Sequence, residues 1–176
     1  AKKELGIESD KKTLIFIGAH YKPNIDAARF ILEILAPELP EYIFLIVGSV
    51  AQEFKNLKVP SNIKFLGQVS DEKLLSALKA ADIALNPMFS GSGSNIKMLD
   101  YMSCGLPTIT TECGARGLDI NGRQPMIISS IAKFTDNIRN LDNKSDLYKR
   151  MSEDARSLIS EKYDWNIISN KLENII

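Results

Sequence analysis

Residues 81–107 read ADIALNPMFSGSGSNIKMLDYMSCGLP, and their order decides the fold. The apolar run Ile83–Leu85 has the length of a buried strand, a turn-forming loop with Gly91 and Gly93 follows, and a helical pattern then runs to Gly105 with Pro107 just beyond. A strand that passes through a glycine-rich loop straight into a helix leaves backbone N–H groups unpaired at the positive end of the helix dipole. Such a place attracts anions, and phosphate is the expected group.

The same punctuation recurs on both sides of this stretch. Thr13–Ile17 (TLIFI) is a continuous β-rich apolar run closed by Gly18, the pattern of a strand buried on both faces. After the loop GAHYKPN, Pro23 and Asn24 open a helix that runs to about Leu35, with Ala27, Phe30, Ile31, Ile34 and Leu35 on one face and Pro37 as its expected stop. Tyr42–Val47 closes at Gly48 and Ile63–Leu66 at Gly67. Ser70, Asp71 and Glu72 supply an N-cap and an acidic first turn for the helix DEKLLSALKAA. Thr108–Thr111 and Met126–Ile128 are the fifth and sixth strands, separated by the loop ECGARGLDINGRQ. Helical spacing then returns three times: Ile131, Phe134, Ile138 and Leu141; Leu147, Met151, Ala155, Leu158 and Ile159 after a capping Ser145; and the segment Trp165–Ile176.

Strands alternating with helices predict right-handed crossovers and an α/β fold of Rossmann type: a doubly wound, mainly parallel six-stranded sheet flanked by helices. Ligands of such sheets sit beyond the carboxyl ends of the strands, near the point where strand order reverses. Three strands end in glycine at that edge and a fourth runs into the GSG loop. Residues 13–176 read as one domain, and the polar start AKKELGIESDKK, residues 1–12, as a linker after a preceding domain.

The chain of 176 residues is long enough for a sizeable core, and its 22 basic and 22 acidic residues balance. A neutral chain offers no long-range field to steer nucleic acid or an anionic membrane; no nucleic-acid partner is expected, and a membrane-peripheral placement of the full-length protein stays open. Cys104 and Cys113 are too sparse for a disulfide framework and fit a reducing compartment, each as a buried or tolerated thiol. No apolar run approaches the roughly 20 residues of a membrane span, and the lysine-rich start lacks the apolar core of a signal peptide. A soluble, cytoplasmic domain is expected.

Ser94, Lys97 and Asp100 carry the chemistry, because spacings of three bring them close to one helical face. Loop amides and Lys97 are placed to hold a diphosphate, while Asp100 accepts hydrogen bonds from vicinal hydroxyls such as those of a ribose. The simpler alternative is an exposed Lys97–Asp100 ion pair. Ile96, Leu99 and Met102, with Met98 at the margin, form the face expected to bury. Neither G-x-G-x-x-G nor G-K-[ST] is completed, so no dinucleotide fingerprint or P-loop is present. His20, the only histidine, lies in the first strand-to-helix loop; without a second histidine or cysteine at ligand spacing, no metal site is expected. Glu112, Cys113 and Arg116 follow the fifth strand on the same edge, Arg116 either meeting a phosphate or sugar hydroxyl or forming a salt bridge. Trp165 reads as an anchor for the last helix.

With these residues in view, the chain resembles the C-terminal, donor-binding domain of retaining, family 4-like glycosyltransferases of the GT-B fold. IFIGAHYKPNIDAARFILEILAPELP resembles the group's opening, IKFLGQVSDEKLLSALKAADIALNPM its middle, GSGSNIKMLDYMSCGLPTITTECGARGL its nucleotide-sugar signature, and YDW the start of its last helix. The resemblance implies a transferase, of hexosyltransferase type, that uses a UDP- or GDP-type nucleotide sugar as donor substrate. It implies no cofactor and no metal. Asp100 matches the carboxylate that holds the ribose; Gly93, Ser94, Asn95 and Lys97 match the diphosphate grip; Gly67, Gln68 and Val69 match the loop that touches the base; Gly18 matches the glycine that lets the first loop approach the phosphates. Catalysis would then rest on Lys97 and Asp100.

The usual pair of glutamates is absent. Asp100 stands at the second position and Ser92 at the first, where a carboxylate often meets the donor sugar, although serine also occurs there in a G-S-G branch of the group. In such enzymes the acceptor, whether a glycan, a lipid or a small molecule, binds an N-terminal domain that is missing here. The chain is therefore expected to bind a nucleotide sugar and not to transfer it alone. The rival reading is a degenerate, non-catalytic donor domain that scaffolds a sugar-assembly partner. A flavodoxin-like receiver would need clustered acids after the first strand, and GAHYKP has none.

Overall fold

In the computed structural model, which describes residues 1–93, 95–164, 167 and 169, six parallel strands form one sheet in the order β3-β2-β1-β4-β5-β6. They are β1 (Thr13–Ile17), β2 (Ile43–Val47), β3 (Ile63–Gly67), β4 (Ile83–Asn86), β5 (Thr108–Thr110) and β6 (Met126–Ile128). β1 passes outward to β2, and β4 returns to pair with β1 from the other side, Leu14 opposite Ile83 and Ile15 opposite Ala84. The crevice where strand order reverses therefore opens beyond Ile17.

Because side chains alternate across a strand, consecutive apolar residues feed two opposite cores. Leu14, Phe16, Phe44, Ile46, Leu85 and Ile109 face α1 (Lys22–Phe30) and α6 (Phe134–Asp142). Ile15, Leu45, Val47 and Ala84 face α3 (Asp71–Ala80), α4 (Lys97–Ser103) and α7 (Ser145–Leu158). This is the doubly wound, Rossmann-like arrangement expected from the alternating pattern.

Local departures have local causes. Pro37 does not stop the first helix: α1 widens into a π-helical turn, Ile31–Leu35, and continues through α2 (Ala36–Glu38), the wide turn falling just before a residue with no N–H to donate. β5 ends one residue early because the Thr111 hydroxyl caps α5 (Glu112–Ala115), accepting from the Gly114 amide at 3.1 Å. Ser70 caps α3 as expected, whereas Ser145 is the first residue of α7 and not its cap. Most of Trp165–Ile176, including Trp165 itself, lies outside the described residues.

Residues 1–12 are laid against the domain. Leu5 and Ile7 are buried in the core on the α3 side, and the Lys2 ammonium donates to the Lys11 carbonyl at 2.8 Å and to the Asp82 carboxylate at 3.0 Å. At the other edge, the ends of β1 and β2 nearly touch: Gly48 has φ +100°, and a Cβ there would stand 2.3 Å from the Gly18 carbonyl oxygen. Among the described residues no helix is long and apolar enough to cross a membrane.

Candidate functional site

The site is built where β1 and β4 meet α4. Tyr101 fixes the helix to the sheet: its ring is fully buried, its hydroxyl accepts from the Ile17 amide at 2.9 Å and donates to the Leu85 carbonyl at 3.5 Å. Burial raises the hydroxyl above the usual tyrosine range, so it stays neutral in this role. One turn earlier on the same face, Lys97 reaches over the end of β1. Its ammonium lies 4.4 Å from the centre of the Phe16 ring, donates to Asn24 Oδ1 at 2.7 Å and approaches Met88 Sδ at 3.9 Å. None of these partners is anionic, and burial pulls the ammonium down from 10.5 to about 7.

In front of Lys97 is a cleft of about 400 Å³. The predicted residues Gly18, Ser92, Gly93, Asn95, Lys97 and Asp100 all line it, so positions as far apart as 18 and 100 come together. Asp100 presents its carboxyl from one turn along α4, and burial raises its pKa. Lys97 and Asp100 do not form the ion pair that their spacing allowed; among the described residues no partner takes up the Asp100 carboxylate. The amides of Ser92, Gly93 and Asn95 donate to no described backbone carbonyl. The loop is braced from behind, where Arg116 donates to the Gly91 carbonyl and Asn95 Nδ2 to the Cys113 carbonyl at 3.4 Å. Among the described residues Arg116 forms no salt bridge, and it is not part of the cleft lining.

A family model described as glycosyl transferases group 1 matches residues 11–143, more than half of the chain. The chain belongs to that family. An uncharacterized glycosyltransferase of Methanocaldococcus jannaschii is 27% identical over 166 residues, covering 89% of this group 1 chain and 42% of the relative. A GDP-mannose-dependent monoacylated alpha-(1-6)-phosphatidylinositol monomannoside mannosyltransferase of Corynebacterium glutamicum is 26% identical over 149 residues, 78% of this chain and 39% of its own. The chain thus spans less than half the length of these relatives. Among solved structures, Anabaena HepE in complex with UDP and glucose superposes with a TM-score of 0.78 over 99% of this chain and 50% of its own; at 16% identity that is a likeness of fold.

Within this glycosyltransferase chain the other expected positions are spread out. Gly67, Gln68 and Val69 lie outside the cleft lining, at the end of β3, where the Gly67 carbonyl accepts from the Gly48 amide at 2.7 Å. Ser94 lies outside the described residues. His20 turns to Glu53, with 3.3 Å between Nε2 and Oε2. Glu112 and Cys113 line a neighbouring hollow of about 460 Å³, separated from the cleft by Met88. The buried face of α4 is Met98, Tyr101 and Met102, with Leu99 partly buried beside it; of the expected Ile96, Leu99 and Met102 with Met98 at the margin, only Ile96 is out of place, and Tyr101 was not expected. Ile96 is 70% exposed, because it precedes the first turn and points outward.

Asn24, expected only as a helix start, Phe16, expected only as a strand residue, and Tyr101 set the position of Lys97 and its helix. Of these roles, only that of Tyr101 left a trace in the sequence, four residues after Lys97 and hence on its face.

Proposed function

We propose that this chain is the donor-binding half of a retaining hexosyltransferase, holding a UDP- or GDP-type nucleotide sugar for transfer to an acceptor bound by a separate N-terminal domain. The observation that carries the reading is Lys97: a cation with no acidic partner among the described residues, set over the crevice between β1 and β4, in one cleft with a carboxyl group one turn away. In this reading the diphosphate meets Lys97 and the amides of Ser92, Gly93, Ser94 and Asn95. Asp100 accepts from the ribose hydroxyls, its shorter side chain reaching them directly or through a water. Gly18 leaves room for the phosphates, and Gly67, Gln68 and Val69 meet the base. The UDP complex of HepE and the GDP-mannose dependence of the corynebacterial relative support the donor class.

Bond cleavage places negative charge on the departing diphosphate while an oxocarbenium-like centre forms on the sugar. A lysine already in place stabilises that charge without reorganisation at the moment of reaction. The donor half alone is then inactive, since nothing in it presents the acceptor. The compartment proposed is the cytoplasm, in keeping with the free thiols of Cys104 and Cys113.

Calorimetric titration with UDP, GDP, ADP and dTDP tests the reading. One of them is expected to bind, and Lys97→Ala to weaken it about tenfold, the worth of one hydrogen bond to a charged group. A folded protein that binds none of the four at millimolar concentration would point to the scaffolding alternative.

A further inference from the structure

We propose that Asn24 is a positioning residue: its side-chain amide bridges the first strand-to-helix loop and the Lys97 ammonium, and so holds the cation aimed at the diphosphate. The inference rests on the nucleotide-sugar reading above but assigns a role that the reading leaves open. Asn24 lies in the first turn of α1, 73 residues before Lys97. Its Nδ2 donates to the Ala19 carbonyl at 3.1 Å and its Oδ1 accepts from Lys97 Nζ at 2.7 Å. A carbonyl needs the NH2 end of the amide and an ammonium needs the oxygen, so the two contacts together fix the orientation. Gly18 makes the approach possible, because a Cβ there would stand 3.1 Å from both Asn24 Cβ and the edge of the Phe16 ring.

The choice of asparagine has a chemical reason. Of the three groups around the ammonium, Phe16 and Met88 offer no oxygen, and Asn24 offers one that is neutral. A neutral acceptor orients the lysine and leaves its charge for an arriving anion. An aspartate at position 24 would still accept from the lysine but would lose the Ala19 contact and neutralise the charge. The titratable groups facing the same space are Asp100 on α4 and Tyr21 in the loop before α1; Tyr101 below is occupied by Ile17 and Leu85.

The test is a set of titrations with UDP, GDP, ADP and dTDP, and with the parent nucleoside of whichever binds best, on the wild-type chain, Asn24→Ala, Asn24→Asp, Lys97→Ala and the Asn24→Ala/Lys97→Ala double variant. Asn24→Ala is expected to weaken the diphosphate about tenfold and leave the nucleoside unchanged. In the Lys97→Ala background the same change should cost less than about twofold, since its effect passes through the lysine. Asn24→Asp, which keeps the size but loses the donor to the Ala19 carbonyl, is expected to weaken the diphosphate as well. It should also flatten the pH dependence of binding between about pH 6.5 and 8.5, because the carboxylate holds the lysine charged throughout. Losses that multiply in the double variant, or an unchanged affinity in Asn24→Ala beside a weakened Lys97→Ala, overturn the positioning role alone. Absence of any diphosphate binding by the wild type overturns both proposals.

Discussion

Replacing Lys97 by methionine is expected to stabilise the empty protein, by a margin that shrinks as the pH rises. The side chain is one atom shorter and still apolar beside Phe16, and it loses the charge that burial disfavours along with the hydrogen bond to Asn24. The ammonium falls from 10.5 in the unfolded chain to about 7 in the fold. Each pH unit of that fall corresponds to about 1.4 kcal/mol, so the full shift is an upper figure near 5 kcal/mol. The residue is partly exposed and has Asn24 and Phe16 as compensating partners, which brings the realistic penalty to about 2 kcal/mol. Below pH 7 both states carry the proton and the penalty is constant. Between pH 7 and 10.5 the unfolded chain holds a proton that the folded one has released, so wild-type stability rises with pH. Above 10.5 both states are neutral and the penalty is gone. Urea unfolding of both proteins at pH 6.5 and 10, followed by circular dichroism, should show the methionine variant ahead at pH 6.5 and its lead reduced by about 1 kcal/mol at pH 10. Common effects of other lysines and tyrosines cancel in the difference. Parallel curves at the two pH values, or a variant less stable than wild type at pH 6.5, would refute the claim that the fold holds this lysine against its solvation.

Three further outcomes follow from the same geometry. A bound diphosphate favours the charged lysine, so affinity should fall several-fold between about pH 6.5 and 8.5, through the value near 7, and the slope should vanish in Lys97→Met, as read by calorimetry at each pH. Asp100→Asn is expected to weaken a ribonucleoside diphosphate about tenfold and its 2′,3′-dideoxy analogue hardly at all; an equal loss for both would remove the ribose contact from the scheme. Tyr101→Phe leaves the Ile17 amide and the Leu85 carbonyl without their shared hydroxyl, and should cost about 1–3 kcal/mol of stability in a urea titration at pH 7.

β1 and β2 were the most legible strands because each is a short apolar run closed by glycine, the signature of parallel strands buried on both faces. Gly48 shows why the punctuation is strict: a side chain there would strike the end of β1. The anion loop was legible for the same reason, since its glycines, its lysine and its helix are neighbours in the chain. The buried face of α4 was legible in part: Met102, with Met98 at the margin, was expected there and Tyr101 was not. Tyr101 is an apolar ring whose single polar atom needs partners, and the sheet supplies two, whereas Ile96, large and apolar, stands before the first turn, where nothing covers it.

Asn24 was out of reach for a different reason. Spacing rules pair residues within a turn of helix or across adjacent strands, and the Asn24–Lys97 contact joins a helix start to a helix start across the switch point. The sheet order makes the pair: β1 and β4 lie side by side although β2 and β3 intervene in the chain, so the elements that follow them, α1 and α4, begin within hydrogen-bonding distance. A local motif therefore names the group that meets the anion. The group that aims it is named only by topology, and any doubly wound sheet with its switch between the first and fourth strands brings the same two helix starts together.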